Sequence, residues 1–345
     1  MKTILVEQPS LRLITCQSGS FPDGNAAAFE RLEKELESLR GRKFYGLIYE
    51  TEEGIDYFAG LLPLDPDEEN RFRENGFSTA TIPGGSFARA KIKGWRERTH
   101  EIGSAFADII QTHGIDLSRP QMEYYRSLEE LHLLVPVPLE NRLREEFLIL
   151  TNTLQIPREV GAKVFDELTR RYREPHRSYH NLSHIDSMLR SLRERLGSAK
   201  EIELAVWFHD VVYDPGSPSN EEDSAGFFSE RIGPHLDRQF ASKVHNLILA
   251  TKHGSNLPFT EAAKFLCDLD LEILAGSPER YQEYCDAIRR EYDHVSDSDY
   301  ADGRVAFLKS MLENPIFRTE SFVPFEESAR ANITREIQQL TGLGG

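Results

Sequence analysis

The sequence predicts a multidomain α+β protein: an antiparallel sheet carrying two helices in the N-terminal part and an all-helical C-terminal part. Three observations predict it. Up to residue 137, short segments with alternating apolar positions are separated by turn residues, and only two longer stretches repeat at helical spacing. Beyond Pro138 the apolar residues recur at helical spacing almost to the end. Between the two lies Pro136 to Pro138 followed by the charged stretch Glu140 to Glu146, a composition that interrupts sheets and stays solvated. The predicted domains are 1–138 and 139–345, and 345 residues suffice for two domains of ordinary size.

Taken in order, Leu11 to Cys16 reads as a strand. Ala26 to Leu39 reads as an amphipathic helix with Phe29, Leu32, Leu36 and Leu39 on one face. Phe44 to Tyr49 and Ile55 to Leu62 alternate around Glu52-Glu53-Gly54 like a hairpin. A second β-α-β-β unit comes next, with strands at Phe77 to Ile82 and Phe87 to Lys93, a helix over 96–113, and strands at Met122 to Tyr125 and Leu131 to Val137. Two such units pairing strand to strand place both helices on one side of a single sheet and leave the opposite face for a ligand cleft. The C-terminal part is predicted as ten helices: 147–153, 157–172, 182–196, 201–212, 221–231, 240–251, 262–274, 278–292, 300–312 and 325–340.

A formal net charge of -16 argues against a nucleic-acid backbone or an anionic membrane as partner, since both are polyanions. No basic helix-turn-helix segment is evident. Three scattered cysteines, Cys16, Cys267 and Cys285, make neither a disulfide framework nor a CxxC metal site and fit reduced thiols. Glu7 comes too early for a signal-peptide core and no run approaches membrane-spanning length, so a soluble cytoplasmic protein is expected.

The chemistry concentrates in the apolar run Ile202 to Asp214, which contains His209-Asp210 and ends in Asp214. A buried His-Asp pair needs hydrogen-bond partners or a metal ion. Upstream, His180 and His184 stand four residues apart and share one helix face. Downstream, Asp268 and Asp270 put carboxylates into a second apolar run. Two imidazoles and two carboxylates from three helices suit one hard or borderline divalent ion: Mn²⁺, Mg²⁺, Fe²⁺, Co²⁺, Ni²⁺ or Zn²⁺.

This order resembles the HD superfamily of metal-dependent phosphohydrolases. The resemblance covers roughly 147–340 and extends to His176-Arg177-Ser178-Tyr179-His180, His209 to Pro215, Asn220-Glu221-Glu222, Thr251-Lys252-His253 and Arg290-Glu291-Tyr292. It implies an HD-type helical domain with His184, His209, Asp210 and Asp270 as ligands. Asp270 is preferred to Asp268 by its Leu269-Asp270 context with Leu274 beyond, which leaves Asp268 behind the ligand shell. The resemblance implies hydrolysis of a phosphate ester or anhydride, with Asp214 either orienting water or simply forming the turn before Pro215. Arg177, His180, Lys252 and His253 are the candidates for holding the phosphate, and His253 is alternatively a ligand of a second metal.

Residues 1–138 resemble the GyrI-like effector-binding domains, through Gly46-Leu47-Ile48-Tyr49, Ala88 to Gly94 before Trp95, Pro120 to Tyr125, and Leu133 to Val137. In that family a Glu four positions before the final Pro often faces a cationic ligand. Here the position is His132, with Glu130 two residues earlier on the same strand face as the substitute. Trp95, Tyr124, Tyr125 and Glu130 are therefore the expected contacts of a small organic ligand, the aromatics serving either as a cage or as core. The two resemblances together imply a hydrolase of a small, nucleotide-like phosphorylated substrate, regulated by the ligand of the N-terminal domain. The competing reading is a non-enzymatic small-molecule sensor with a degenerate HD scaffold.

Overall fold

The computed structural model describes residues 2–52, 54–252 and 260–342. By its internal contacts the chain divides into two compact units, Met1–Arg142 and Leu143–Gly345.

The first unit is an eight-stranded antiparallel sheet in the order β1-β6-β8-β7-β3-β4-β2-β5. Its strands are β1 Ile4–Gln8, β2 Leu11–Gln17, β3 Phe44–Thr51, β4 Gly54–Leu61, β5 Ser78–Ile82, β6 Gly85–Lys93, β7 Gln121–Tyr125 and β8 Glu130–Pro136. Helices α1 Asn25–Lys34, α2 Pro66–Glu74 and α3 Ile102–His113 lie on one side. Strand alternation sorts the side chains. Ile48, Tyr57, Ala88, Ala90, Leu131 and Leu133 pack under α3 with Ala105, Phe106 and Ile109. Leu13, Tyr45, Leu47, Phe87, Met122 and Leu134 form a second apolar layer on the helix-free face.

The expected two-helix sheet is thus present, with two additions. Strand β1 pairs with β6 and forms one edge. Helix α2 buries Phe72 alone and is held at its start by Asp65, whose side chain accepts from the Glu68 N–H ahead of Pro66 at the first helical position. The helix expected over 96–113 begins as two short 3₁₀ turns, and regular α-helix starts at Ile102.

The second unit is helical. Its elements are α4 Leu139–Thr153, which starts four residues before the division, α5 Arg158–Tyr172, α6 Leu182–Leu196, α7 Lys200–Phe208, α8 Asn220–Arg231, α9 Arg238–Ala250, α10 Glu261–Asp270, α11 Pro278–Glu291, α12 Asp297–Leu312 and α13 Glu326–Leu340. The charged stretch 140–146, read from the sequence as a solvated boundary, is the first half of α4 and contains the division between the units, and its charges alternate with Leu143 and Phe147, both fully buried.

Helix α7 is the core element. Ile202, Leu204, Ala205, Val206, Trp207 and Phe208 are all buried, and Trp207 meets Phe147 edge-on at 5.1 Å. A helix apolar on nearly every side sits inside a bundle, so the residues just past its last turn are delivered into the interior. The Tyr172 hydroxyl donates to the Trp207 carbonyl at 3.0 Å and closes part of that helix end.

Candidate metal centre

Three helices meet at one point. Helix α6 starts at Asn181, whose side chain accepts from the Ser183 N–H, so that His184 lies in the first turn. His209 caps α7, Asp210 comes directly after it, and Asp270 is the last residue of α10. Two helix C-termini therefore face the site, and their partial negative charge favours a cation.

One donor atom from each of His184, His209, Asp210 and Asp270 lies within 4.8 Å of all the others. His209 Nε2 stands 2.9 Å from Asp210 Oδ2 and 3.6 Å from Asp270 Oδ1, while His184 Nε2 stands 3.1 Å from Asp270 Oδ1 and 3.9 Å from Asp210 Oδ2. The two Nε2 atoms are 3.4 Å apart. His209 Nδ1–H donates to the Val206 carbonyl at 3.0 Å, which leaves the neutral ring's Nε2 lone pair aimed into the cluster. Ligands at roughly 2.1 Å from one ion stand about 3.0–3.4 Å from their neighbours, and the observed separations bracket that range. The residues fit a divalent ion.

The electrostatics agree with that fit. Burial works against ionisation of Asp210, but the charge of His209, its hydrogen bond and the charge of His180 outweigh it and hold the carboxyl low, at about 2. Burial likewise opposes ionisation of Asp270, and hydrogen bonds from His184 and His209 bring it well below the usual carboxylate range. His209 is pushed up despite burial by Asp210 and Asp270. A protonated His209 between ionised carboxylates is the metal-free balance, and a bound cation takes the proton's place.

Around the ligands the remaining expected residues separate into those that reach the site and those that do not. His180 does. Its Nδ1 donates to Glu291 Oε2 at 2.6 Å, and the other Glu291 oxygen accepts the Tyr179 and His180 N–H groups at 2.6 and 2.9 Å. The Tyr213 hydroxyl adds a bond to Glu291 Oε2 at 2.9 Å. Burial raises the Glu291 carboxyl, but the hydrogen bond and charge of His180 prevail and bring it down to about 2. Burial lowers His180, and the bond to Glu291 with the charge of Asp210 prevails to raise it. Sequence reasoning assigns Glu291 no role. The signal available is a lone carboxylate at the end of a helix that otherwise ends in Arg289 and Arg290.

Arg177 is turned toward the backbone. Its Nη1 donates to the carbonyls of Asp210 at 2.6 Å and His180 at 3.2 Å, its Nη2 to Val211 at 3.1 Å, and its Nε to Glu174 at 3.0 Å. It braces the ligand turn from behind. Lys252 is paired with Glu222 at 2.5 Å and with the Pro218 carbonyl at 2.7 Å. Asp214 is exposed, and its Oδ1 accepts from the Gly216 N–H at 2.8 Å, a turn-forming bond. Asp268 is fully buried and accepts from Arg318 N, Thr319 N and Thr319 Oγ1, so it latches a distant segment instead of supporting the ligands. His253 lies outside the described residues.

The His180–Glu291 pair carries a pH signature. A histidine raised above its unfolded value of about 6.5 contributes stability that is complete below that pH and is lost as pH rises through the folded value. The pair's share of the wild-type unfolding free energy will therefore fall as pH rises above about 6.5, by at most about 1.4 kcal/mol per pH unit. In Glu291→Gln, at constant metal concentration, the fall with pH is shallower, because His180 loses its largest stabilising partner. Parallel pH profiles for the two proteins would remove the pair from the account.

In the first unit, Trp95 and Tyr125 lie 5.1 Å apart between ring centroids, with Phe29 edge-on to Tyr125 at 5.2 Å. At their centre is Glu123, which sequence reasoning does not single out, and whose Oε2 accepts from the hydroxyls of Tyr57 at 2.7 Å and Tyr125 at 2.6 Å. Burial raises its carboxyl against the lowering effect of those two bonds. Gly46 makes the arrangement possible, because a methyl group there would collide with the Tyr57 hydroxyl and Glu123. Tyr124 and Glu130 are elsewhere. Tyr124 comes after Glu123 in the strand and points to the helix-free face, stacked on Tyr45 at 5.0 Å. Glu130 is on that same face, 2.6 Å from His132 Nε2.

Among the described residues no helix is long and apolar enough to cross a membrane. No protein-family model matches the sequence, and no curated protein matches it. Among solved structures, an integron cassette protein from the mobile metagenome of Vibrio cholerae is similar at a TM-score of 0.32 and 14% identity, covering 39% of this chain and 95% of that one. The protein SAV2435 bound to tetraphenylphosphonium gives 0.31 and 14%, covering 40% and 94%. The C-terminal domain of EcmrR gives 0.29 and 12%, covering 40% and 97%.

Proposed function

We propose that the second unit is a metal-dependent phosphohydrolase of the HD type, cleaving a phosphate ester or anhydride of a small, nucleotide-like substrate, and that the first unit binds a small organic ligand. The observation that carries the hydrolase reading is the convergence of two imidazole and two carboxylate donors from three helices on one point. His184, His209, Asp210 and Asp270 would hold the ion. When bound, a divalent ion acidifies a water and polarises a phosphoryl oxygen. His180 then supplies a proton: Glu291 fixes its Nδ1–H and favours the charged ring, leaving Nε2–H as donor to a phosphoryl oxygen or a leaving group.

A cavity of about 520 Å³ beside Asp210 and Asp270 is lined by His180 and by Tyr213, Tyr284, Tyr292 and Tyr300. Flat aromatic walls next to the phosphate position support a substrate that carries a base or another ring. The first unit's part rests on Glu123, a buried carboxylate bonded by the hydroxyls of Tyr57 and Tyr125, with Phe29 and Trp95 packed on the Tyr125 ring.

The sensor reading has one observation in its favour, since Arg177 and Lys252 are both occupied by other partners. One experiment separates the two. Protein purified without chelator is expected to carry about one divalent transition-metal ion per chain and to release phosphate from members of a nucleotide panel with Mn²⁺, Co²⁺ or Mg²⁺. A metal-loaded protein inert toward the whole panel would favour the sensor. Protein that takes up no metal would end both the cofactor assignment and the hydrolase.

A further inference from the structure

The helix-free face of the sheet, on the opposite side from Glu123, holds a cavity of about 260 Å³ that includes the expected contact Tyr124 and His132 in its lining. Its lining includes Lys43, Arg89, Arg126, Tyr45, Tyr124 and His132, and no carboxylate is among the lining residues. In a chain of net charge -16 such a cluster of cations is unusual. Arg126 lies 3.5 Å from Glu130, but Glu130 is already drawn to His132 at 2.6 Å and to Lys91 at 3.5 Å. Arg89 projects from β6 between Ile4 of β1 and Leu134 of β8, and its Nε–H is buried without an acceptor among the described residues. A buried N–H left unpaired is costly, and an anion is the partner that a guanidinium accepts best, with two parallel hydrogen bonds.

The wall opposite the charge is flat. Tyr45 and Tyr124 stack at 5.0 Å with 19° between their planes, and His132 meets Tyr124 edge-on at 5.6 Å. Burial pushes the Tyr45 phenol up to about 12 and lowers His132, so the phenol stays a neutral donor and the imidazole adds no charge of its own. The volume is below the roughly 300–1,000 Å³ of pockets for drug-sized ligands. It suits one ring with one charged group.

We propose that this cavity is a binding site for a small aromatic carboxylate, its carboxylate on Arg89 with Lys43 and Arg126 at the rim, and its ring against Tyr45 and Tyr124. The site is on the opposite face of the sheet from Glu123 and takes ligands of opposite charge to any that a buried carboxylate would favour.

Calorimetric titration of the full chain with benzoate tests this. The expected result is one site per chain with Kd below about 1 mM, at least tenfold weaker binding by Arg89→Gln, and no measurable binding of benzyl alcohol. Cyclohexanecarboxylate, which has the charge without the flat ring, is expected to bind more weakly than benzoate. No heat from benzoate up to about 10 mM, equal affinity for benzyl alcohol, or full affinity in Arg89→Gln would overturn the proposal. Should Arg89→Gln fail to fold, Lys43→Gln and the comparison of benzoate with its neutral analogue decide it on a folded protein.

Discussion

Asp270→Ala will abolish metal binding, and phosphate release with it, whereas Asp268→Ala will keep its metal while its melting temperature falls. Two residues apart on α10, the carboxylates serve different masters. Asp270 Oδ1 lies 3.1 Å from His184 Nε2 and 3.6 Å from His209 Nε2, and no other group in the cluster replaces it. Its removal relieves two buried imidazoles of the negative charge that compensates a cation, so affinity collapses and turnover falls by at least about 10³-fold, the scale of losing a primary catalytic element. Asp268 instead receives Arg318 N, Thr319 N and Thr319 Oγ1 in a fully buried setting. Alanine strands those donors, at a cost of about 3 kcal/mol or more. For a unit of this size that is a drop of about 6–12 °C in Tm. Metal content measured beside a thermal melt reads both. If Asp268→Ala lost the ion and Asp270→Ala kept it, the ligand assignment would be wrong.

The contrast also marks how far the sequence could reveal the site. The cluster of His184, His209, Asp210 and Asp270 is legible because its residues are rare at buried positions: a His-Asp pair in an apolar run has few bland explanations, and His184 and Asp270 lie in neighbouring helices of the same kind. The choice between Asp268 and Asp270 needs the context of a family, since both lie in one apolar helix and only the fold shows which way each points. Strand order in the first unit is not readable either. Alternation tells which residues share a face, but a grouping of Tyr124 with Tyr125 ignores it and so misses Glu123. Helix α2 escapes because Phe72 is its only buried residue, and a helix without an apolar stripe shows itself only through its cap, Asp65 before Pro66. Strand β1 escapes because Ile4, Leu5 and Val6 run on without alternation at an edge. Charge roles are the least legible. A cation near a phosphate site and a cation bracing the backbone behind it have the same sequence signature, and only the hydrogen bonds separate them.

Arg177 is the case on which that distinction turns, and it yields the second large effect. Arg177→Ala will lower stability by about 3–5 kcal/mol, the usual cost of breaking a buried charged network, which corresponds to about 6–20 °C in Tm. The guanidinium reaches the carbonyls of His180, Asp210 and Val211, packs over the rings of Tyr172 at 5.2 Å and Tyr213 at 5.5 Å, and ties the ligand turn to the segment that carries His180. Those carbonyls lose their donors together at a position where the Arg177 side chain is fully buried. With Asp210 less firmly placed, metal affinity will fall by about 10- to 100-fold, as for loss of other groups that orient ligands. Arg177→Lys will recover only part of either loss, since one ammonium cannot reproduce a planar fork serving three carbonyls. A phosphate contact behaves otherwise. It would raise KM in a protein of unchanged melting temperature and unchanged metal affinity, and a lysine would restore much of the charge. Melting curves and metal titrations on the two variants, measured before any substrate is added, therefore assign Arg177 to the backbone or to the substrate: normal stability and full metal binding in Arg177→Ala would return it to the substrate.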